Sequence, residues 1–427
     1  MDLCRFTASL RCAPTGSSSC RTVAVLQQGA ANSSFFLKLP LSSTLRQKAL
    51  SVSVRCEAEV DAPPKPRPAP TKPKPVMGDD GSNGHAHGHD HGMNTSLLTS
   101  LYMDFLHSMS FTNSRASCYP DRLDTVIALV RENGGSFMPD RYIVMGAAFG
   151  NLVYCLHPVD VQAKIGHFTA LFLVVDDLAG KLTGAARERY LEDIRLFQMK
   201  FADPEGYAKR YPGRGDLHEA LEKVIVYLKT DQNPFFPAEL RLHSLMIKSM
   251  LDFMEANLQE QHYEHDPIDY TADMAQLPRF LRNKSGIAEL YAYFFLLQST
   301  SSGSAAEDEH FFYNNLYPMV PELIDVINFG NDVMSFYKEV LVGEDSIDIV
   351  NYSKIHNLPL LQSLRDSMES VKLSRRRLMA LADRSGSDDI KDKLVNFFQG
   401  YWSWHLGLKR YRLGEVLRGW YDGGYWA

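Results

Sequence analysis

Three oxygen-bearing side chains, Asn331, Ser335 and Glu339, recur four residues apart in this sequence. The residues between them are largely apolar, which predicts a buried helix, and helical positions four apart lie above one another on one face. An amide oxygen, a hydroxyl and a carboxylate arranged in this way are hard ligands of the kind that Mg²⁺ prefers when it bridges a protein to substrate phosphates. Lys338 would add a positive charge for phosphate. The same spacing also occurs on ordinary solvated helix faces, so the column alone leaves both interpretations open.

A second set of oxygen ligands, Asp176 and Asp177, lies at the end of the apolar helix predicted over 159–180. Carboxylates at the end of so apolar a helix are costly unless something pairs with them. They could form an ion pair, cap the next helix or bind metal. Because the chain offers two oxygen clusters on buried helices, the two could form facing walls of a trinuclear magnesium site around a diphosphate.

Two further segments carry groups that could contact phosphate. Arg282 can donate a fork of hydrogen bonds, and Gly286 follows it inside a predicted helix. Glycine in a helix costs up to about 1 kcal/mol relative to alanine, so its presence indicates a close backbone approach or a break. Near the end of the chain, Arg410 and Tyr411 lie in a basic cluster that could equally be a favourable partner of a helix dipole.

In this order, the segments resemble class I terpene cyclases of the microbial type, and the 331–339 run and the Arg410-Tyr411 pair are most similar to the trichodiene synthase branch. The resemblance covers roughly residues 100–420. It implies a magnesium-dependent enzyme, with three ions, that ionises a prenyl diphosphate and cyclises the cation with release of diphosphate. Its fold would be a single all-α, class I terpenoid synthase-like helical bundle around a deep apolar cavity.

The resemblance also assigns roles to individual residues. The metal ligands would be Asp176, Asp177, Asn331, Ser335 and Glu339. The diphosphate would be contacted or sensed by Lys338, by Arg282 with Ser285 as linker and Gly286 as effector, and by the closing pair Arg410 and Tyr411. One position departs from the family pattern: Gly180 stands where another acid usually follows, which removes a carboxylate that would form a latch with arginine on closure.

An aromatic pocket would fold the substrate and stabilise migrating positive charge by cation–π contacts, each of about 2 kcal/mol when desolvated. Exclusion of water would protect the allylic cation from quenching. The candidate pocket residues are Phe149, Phe168, Phe172, Tyr293, Phe329 and Trp404.

The periodicity from about residue 96 onward is helical almost throughout. The predicted helices are Asp121–Asn133, Pro139–Leu156, Val159–Gly180, Gly184–Phe201, Leu217–Thr230, Phe236–His262, Tyr270–Thr300, Tyr317–Val342, Pro359–Asp383 and Ser387–Arg412. Several are apolar nearly all round, as expected at the centre of a bundle. One α-helical domain over 96–427 is therefore simpler than two.

The first part of the chain has a different composition. Residues 1–56 are basic and rich in serine, with Asp2 as the only acid, which is typical of a transit peptide and favours import into a plastid. Mitochondrial import, or an unprocessed disordered tail on a cytoplasmic protein, are the alternatives. Residues 57–95 combine a proline-basic stretch with a glycine-histidine tract and predict a disordered linker. Cys118 and Cys155 are the only cysteines after the leader, too few for a disulfide framework, which fits a reducing compartment.

Composition and residue pattern also exclude some functions and leave others open. The formal net charge of −6, without a basic stripe, argues against nucleic acid, and no apolar run is long enough to predict an integral membrane segment. The resemblance to the trichodiene synthase branch implies farnesyl diphosphate as the favoured substrate, whereas a plastid address would favour geranyl or geranylgeranyl diphosphate as alternatives. The protein is expected to be a monomer or a homodimer. A chain-elongating prenyl diphosphate synthase would need a second Asp-rich helix, and a catalytically inactive helical binding protein is the alternative of another class.

Overall fold

The computed structural model describes residues 7–12, 22–27, 35–38, 95–112, 122–134, 137–229, 240–296, 310–344 and 347–417. The chain divides into two compact units, residues 1–86 and 87–427. The predicted linker falls almost entirely outside the described residues, and the division into leader, linker and domain stays a prediction.

The first unit contains a three-stranded antiparallel sheet in the order β1-β2-β3. Its strands are β1 (Thr7–Cys12), β2 (Thr22–Gln27) and β3 (Phe35–Lys38). Thr7 pairs with Gln27 and Val23 with Lys38, which sets the register of the two strand pairs. The leader composition did not predict these strands.

The described part of the second unit contains fourteen α-helices and no β-strand, which confirms the all-α prediction. They are α1 (Thr95–Ser108), α2 (Leu123–Gly134), α3 (Asp140–Val153), α4 (Val159–Lys181), α5 (Gly184–Ala202), α6 (Pro204–Arg210), α7 (Glu219–Leu228), α8 (Leu240–His265), α9 (Leu277–Ser285), α10 (Ala288–Leu296), α11 (Val320–Leu341), α12 (Asp348–His356), α13 (Leu360–Ser385) and α14 (Asp388–Gly407). Short 3₁₀ turns, Lys409–Tyr411 and Leu413–Glu415, follow α14.

Two of the predicted helices have different ends in the structure. The helix predicted over 270–300 is divided into α9 and α10, because Gly286 ends the first and Ile287 adopts a positive φ of 46°. The helix predicted over 387–412 ends at Gly407, so Arg410 and Tyr411 lie in a 3₁₀ turn. Three helices, α1, α6 and α12, were not predicted.

The core brings α3 and α4 unusually close together. A Cβ atom added at Gly146 would lie 2.2 Å from the carbonyl oxygen of Gly166, so no larger residue fits there without moving a backbone. Phe168, Leu171 and Val175 continue α4 as a buried helix. This packing fixes the direction in which the end of α4 presents Asp176.

Two observations bear on the predicted absence of a membrane-spanning segment and on the predicted reducing compartment. In the described part of the chain, no helix is long and apolar enough to cross a membrane. Cys155 is disulfide-bonded. One disulfide is compatible with the absence of a disulfide framework, but it does not favour the reducing compartment inferred from the cysteine count.

Candidate active site

A cavity of about 800 Å³ lies between α3, α4, α8, α9, α10, α11, α12 and α14. Its volume is within the range typical of small-molecule sites. Most of the residues that the sequence singled out line it: Phe149, Phe172, Asp176, Arg282, Ser285, Gly286, Asn331, Ser335, Lys338, Glu339, Trp404, Arg410 and Tyr411. The cavity therefore combines side chains that are up to 262 residues apart in the sequence.

The helix α11 forms one polar wall. Asn331, Ser335 and Glu339 lie on successive turns, and Ser335 Oγ donates a hydrogen bond of 2.8 Å to Glu339 Oε2. Lys338 Nζ lies 3.5 Å from Glu339 Oε1, which places an ammonium group beside the carboxylate. The column predicted from the spacing is thus present and faces the cavity.

Asn331 uses both ends of its amide. Its Nδ2 donates to Tyr411 Oη at 3.2 Å and lies 3.1 Å from His405 Nε2, while its Oδ1 accepts a hydrogen bond of 3.2 Å from Arg282 Nη2. Burial lowers the pKa of His405 to about 3, against the opposing effect of its hydrogen bond to the Tyr401 carbonyl. His405 is therefore neutral, and its Nε2 can accept a hydrogen bond.

Arg282 is held by α11. Its Nε donates to Asp332 Oδ1 and Oδ2 at 2.8 and 3.0 Å, and its Nη2 also donates to the carbonyl oxygen of Asn328 at 3.2 Å. Burial raises the pKa of Asp332, while the Arg282 guanidinium opposes that rise. The predicted diphosphate-sensing arginine is thus paired with a carboxylate of the chain.

The break at Gly286 brings α9 close to α11. A Cβ atom at Gly286 would lie 1.8 Å from Asn328 Oδ1 and 2.8 Å from Arg282 Nη1. Glycine is required here because Asn328 is fully buried and its side chain occupies the space. The sequence interpretation of Gly286 offered either a break or a close approach, and the structure has both.

The end of α4 forms the opposite wall. Among the described residues, Asp176 makes no hydrogen bond or ion pair. Burial raises its pKa, neighbouring Asp177 adds to the rise, and Arg410, Arg282 and Lys338 oppose it. A carboxylate in a cavity without a partner is costly unless a cation compensates it.

Asp177 is not part of the cavity wall. Its Oδ2 accepts hydrogen bonds from Tyr142 Oη and Lys181 Nζ. Burial would raise the pKa of Asp177, but these two hydrogen bonds outweigh it and the pKa is lowered. Asp177, which was predicted as a metal ligand, is therefore bound in this structure by Lys181, one helical turn away. Gly180 is exposed, and a Cβ there would meet nothing within 4 Å.

The 3₁₀ turn after α14 contributes the pair Arg410 and Tyr411. Burial would lower the pKa of Arg410, but Tyr411, Asp177 and Asp176 outweigh it, so the guanidinium stays charged beside the cavity. Tyr411 is 4% exposed and contacts α11 through Asn331. The turn thus connects the end of α14 to the oxygen column.

Aromatic side chains form the apolar part of the cavity. The ring of Phe149 packs edge-on against Tyr291 and Trp404, each at a centroid distance of 5.0 Å, and Phe172 lies 6.4 Å from Tyr291. The indole nitrogen of Trp404 donates to the carbonyl oxygen of Met145 at 2.9 Å, which fixes the ring.

Three predicted pocket residues do not line the cavity. Phe168 lies one turn before Phe172 on α4, beneath Phe294. Tyr293 and Phe329 lie two residues from the lining residues Tyr291 and Asn331, which on a helix of 3.6 residues per turn places them on nearly opposite faces. Tyr293 donates to Glu289, and the Phe329 ring lies 5.2 Å from the Arg279 guanidinium.

The charges of the wall fit a cationic ligand. Seven carboxylates line the cavity against four cations: Asp176, Glu260, Glu264, Asp332, Glu339, Glu344 and Asp348 against Arg282, Lys338, Lys354 and Arg410. Burial also raises the pKa of Asp348. Among the described residues, no three His, Cys, Asp or Glu side chains cluster as a metal site, but the column offers amide, hydroxyl and carboxylate oxygens, which suit Mg²⁺.

Sequence reasoning missed Asp332 and His405. Asp332 directly follows Asn331, and a second acid beside a ligand column could have suggested a partner for Arg282. His405 lies one turn after Tyr401 on a predicted helix. Without the structure, nothing in the sequence joined it to a residue 74 positions earlier.

Comparison with known proteins gave several relatives. Residues 213–422 match the family model described as trichodiene synthase (TRI5). An (E)-beta farnesene synthase of Metarhizium brunneum is 25% identical over 268 residues, which is 62% of this chain and 71% of that protein. Terpene synthase BipA of Cochliobolus sativus is 23% identical over 273 residues, 64% of this chain and 75% of that protein. A trichodiene synthase of Fusarium boothii is 27% identical over 175 residues, 40% of this chain and 44% of that protein.

A solved structure is also similar to this chain. Isoprene synthase from grey poplar leaves, in complex with three Mg²⁺ ions and dimethylallyl-S-thiolodiphosphate, aligns with a TM-score of 0.47 and 15% identity. The alignment covers 76% of this chain and 60% of that chain.

Proposed function

We propose that this chain, a class I terpene synthase of the microbial, trichodiene synthase-like type, is a magnesium-dependent sesquiterpene synthase. It would ionise farnesyl diphosphate, cyclise the resulting cation and release diphosphate. The observation that carries the proposal is the composition of one cavity. Asp176 and the column Asn331, Ser335 and Glu339 line its polar part, while Phe149, Phe172 and Trp404 line its apolar part.

The polar part suits a diphosphate accompanied by metal. Magnesium held by Asp176, Asn331, Ser335 and Glu339 would supply Lewis-acid neutralisation of the diphosphate charge when bound. Arg282, Lys338 and Arg410 bring fixed positive charges to the same cavity, and cations placed in advance stabilise a departing anion without reorganisation. Nε of Arg282 is already bound to Asp332 in this structure, so a diphosphate would meet a guanidinium whose charge is partly compensated.

The apolar part suits the hydrocarbon chain and its cation. Phe149 and Trp404 are packed edge to face and held by neighbours, so their rings keep a fixed position against a folded substrate. Ring faces stabilise a desolvated cation by about 2 kcal/mol. Tyr411 and Arg410 lie at the junction of the two parts, where closure would exclude water.

Substrate length, ion number and oligomeric state are parts of this proposal. A cavity of about 800 Å³ has room for chains of ten, fifteen or twenty carbons, so geranyl and geranylgeranyl diphosphate stay as alternatives. Three magnesium ions, and a monomer or homodimer, follow the family resemblance.

The test is to incubate the full chain with Mg²⁺ and, separately, with geranyl, farnesyl and geranylgeranyl diphosphate. Gas chromatography with mass spectrometry should detect a cyclic fifteen-carbon hydrocarbon or alcohol from farnesyl diphosphate, and chelation of the metal should abolish it. If only geranyl or only geranylgeranyl diphosphate were turned over, that compound and not farnesyl diphosphate would be the substrate. Folded protein that turns over none of the three would support the inactive binding protein instead.

Localisation in a plastid is proposed from the serine-rich, basic composition of residues 1–56. A fusion of these residues to a fluorescent protein should accumulate in plastids of a transfected plant cell. A fusion that stays in the cytosol would refute localisation in a plastid.

A further inference from the structure

We infer that His405 is a positioning residue that orients the amide of Asn331, so that an oxygen rather than an NH₂ group faces the cavity. The inference deepens the proposed function and rests on it, since it concerns the magnesium site of that same cavity. His405 does not line the cavity and is not itself a ligand in this arrangement. It acts only through Asn331.

The first step concerns the tautomer of His405. The side chain is fully buried, with ring centroids of Tyr401, Tyr411 and Trp404 at 4.5, 4.7 and 4.8 Å. Its Nδ1 lies 2.8 Å from the carbonyl oxygen of Tyr401, one turn earlier on α14. A carbonyl oxygen can only accept, so Nδ1 carries the proton and Nε2 of the neutral ring is an acceptor.

The second step concerns the amide of Asn331. His405 Nε2 lies 3.1 Å from the amide nitrogen, which can donate to it, whereas an amide oxygen in that place would meet another acceptor. Tyr411 Oη, at 3.2 Å, accepts the other amide proton. Arg282 Nη2 lies 3.2 Å from Oδ1 on the far side. In the opposite orientation of the amide, its NH₂ group would face the Arg282 guanidinium, and its oxygen would face the acceptor Nε2 of His405. Only the observed orientation therefore satisfies all three neighbours.

The consequence concerns the ligand column. An amide binds Mg²⁺ through its oxygen and not through its nitrogen. With His405 in place, the nitrogen of the Asn331 amide is turned toward His405 and Tyr411, and Oδ1 is turned toward Arg282, which lines the same cavity as Ser335 and Glu339. Arg282 is the group that a metal would displace from Oδ1. Groups that orient a ligand in this way commonly change metal affinity by about 10- to 100-fold when they are removed.

The central experiment compares metal binding by the unaltered chain and by His405→Phe, which keeps an aromatic ring and loses the acceptor. The probe is Mn²⁺ in the presence of inorganic diphosphate, measured by electron paramagnetic resonance of the free ion and by calorimetry. His405→Phe should bind the ion about 10- to 100-fold more weakly. An unchanged affinity in the folded variant would overturn the inference.

His157→Phe is the matched control. His157 is also a buried histidine, 4% exposed, whose Nε2 lies 2.9 Å from the Phe294 carbonyl oxygen, but it is outside the cavity wall. It should lose thermal stability without a change in ion affinity.

A second background separates orientation from general damage. In Asn331→Asp both side-chain oxygens can bind metal, so there is no amide left to orient. His405→Phe should therefore weaken binding of Mn²⁺ much less in the Asn331→Asp background than in the unaltered chain. An equal loss in both backgrounds would show a merely structural role and would overturn the inference.

A measurement on the unaltered chain keeps the inference testable if His405→Phe fails to fold. Nitrogen NMR of ¹⁵N-histidine-labelled protein, assigned with His405→Gln, should show His405 protonated at Nδ1 and not at Nε2. Protonation at Nε2 would overturn it. Ion binding without turnover of any prenyl diphosphate would refute the proposed reaction alone, whereas absence of ion binding by the unaltered chain would refute the metal site and the inference together.

Discussion

Arg282 Nε lies 2.8 and 3.0 Å from the two carboxylate oxygens of Asp332, one residue after the first member of the oxygen column. Both side chains are largely buried, 17% and 8% exposed. The guanidinium is therefore compensated by the chain itself in this structure. Asp332 therefore holds Arg282 at the cavity wall and lowers the positive charge that a diphosphate would meet there.

Asp332→Asn should lower the free energy of unfolding by about 3 kcal/mol, because it leaves a buried guanidinium without its carboxylate. Urea unfolding followed by circular dichroism measures the change. The control is Asp325→Asn, since Asp325 pairs with Arg279, whose side chain is 50% exposed. Asp325 itself is 15% exposed, but the solvent around Arg279 screens this pair, so its loss should be smaller, about 1 kcal/mol. Equal losses in the two variants would contradict the special status of the Arg282 pair.

Glu339→Ala should reduce turnover of prenyl diphosphate on the order of 1000-fold, because it removes the carboxylate of the column. Asp177→Ala should reduce it only about tenfold, since Asp177 is bound by Lys181 and Tyr142 and can affect Asp176 only indirectly. Steady-state assays over a range of Mg²⁺ concentrations measure both variants. Mild losses of similar size would refute the different roles of the two carboxylates.

Much of the site could be predicted because its signals are local. The spacing of Asn331, Ser335 and Glu339 reports a helical face directly, and the structure places all three on the cavity wall. What could not be predicted depends on contacts between distant segments. His405 reaches Asn331 across 74 positions and Arg282 reaches Asp332 across 50, and helical periodicity carries no information about such pairs.

The aromatic residues show the same limit. Phe168 and Phe172 are one turn apart on a helix that is apolar nearly all round, so the sequence could not tell which of them reaches the cavity. In the structure, Phe172 lines the cavity, whereas Phe168 does not and is buried in the core. For α9 and α10, by contrast, Gly286 did mark the irregularity, although its position as a helix end had to come from the structure.

Phe172→Leu should change the product ratio and lower kcat/KM about tenfold, because a cation–π contact of about 1 kcal/mol or more is lost. Phe168→Leu should leave the product ratio unchanged and cost about 1 kcal/mol of stability, since Phe168 packs in the core. Gas chromatography of the products and thermal unfolding distinguish the two. A changed product ratio for Phe168→Leu would mean that the cavity extends deeper than its wall in this structure.

Stability should fall in acid through His157. Burial lowers the pKa of His157 to about 4, against the opposing effect of its hydrogen bond to the Phe294 carbonyl. Because the folded pKa lies below the unfolded value of about 6.5, the unfolded chain binds the proton first. The contribution of His157 to the free energy of unfolding is therefore fully present above about pH 6.5. It is lost as the pH falls to about 4, for a total loss of about 3 kcal/mol.

His157→Gln isolates this contribution, since its amide can still donate to the Phe294 carbonyl but does not titrate. Unfolding in urea at several values between pH 4 and pH 7.5 should show a steeper acid loss for the unaltered chain than for the variant. Parallel curves would mean that His157 is not kept neutral by burial.

Gly286→Ala should destabilise the protein by about 2 kcal/mol, because the new methyl group would lie 1.8 Å from Oδ1 of the fully buried Asn328. It should also raise KM for the prenyl diphosphate, since Arg282 Nη1 would be 2.8 Å from the same methyl group and would have to move. Gly180→Ala is the matched control: the site is exposed, helical and open, so alanine should stabilise the protein by about 0.5–1 kcal/mol and leave KM unchanged. Thermal unfolding and steady-state kinetics of the two variants provide the comparison. If Gly286→Ala matched Gly180→Ala in both, the close approach of α9 to α11 would not be what positions Arg282.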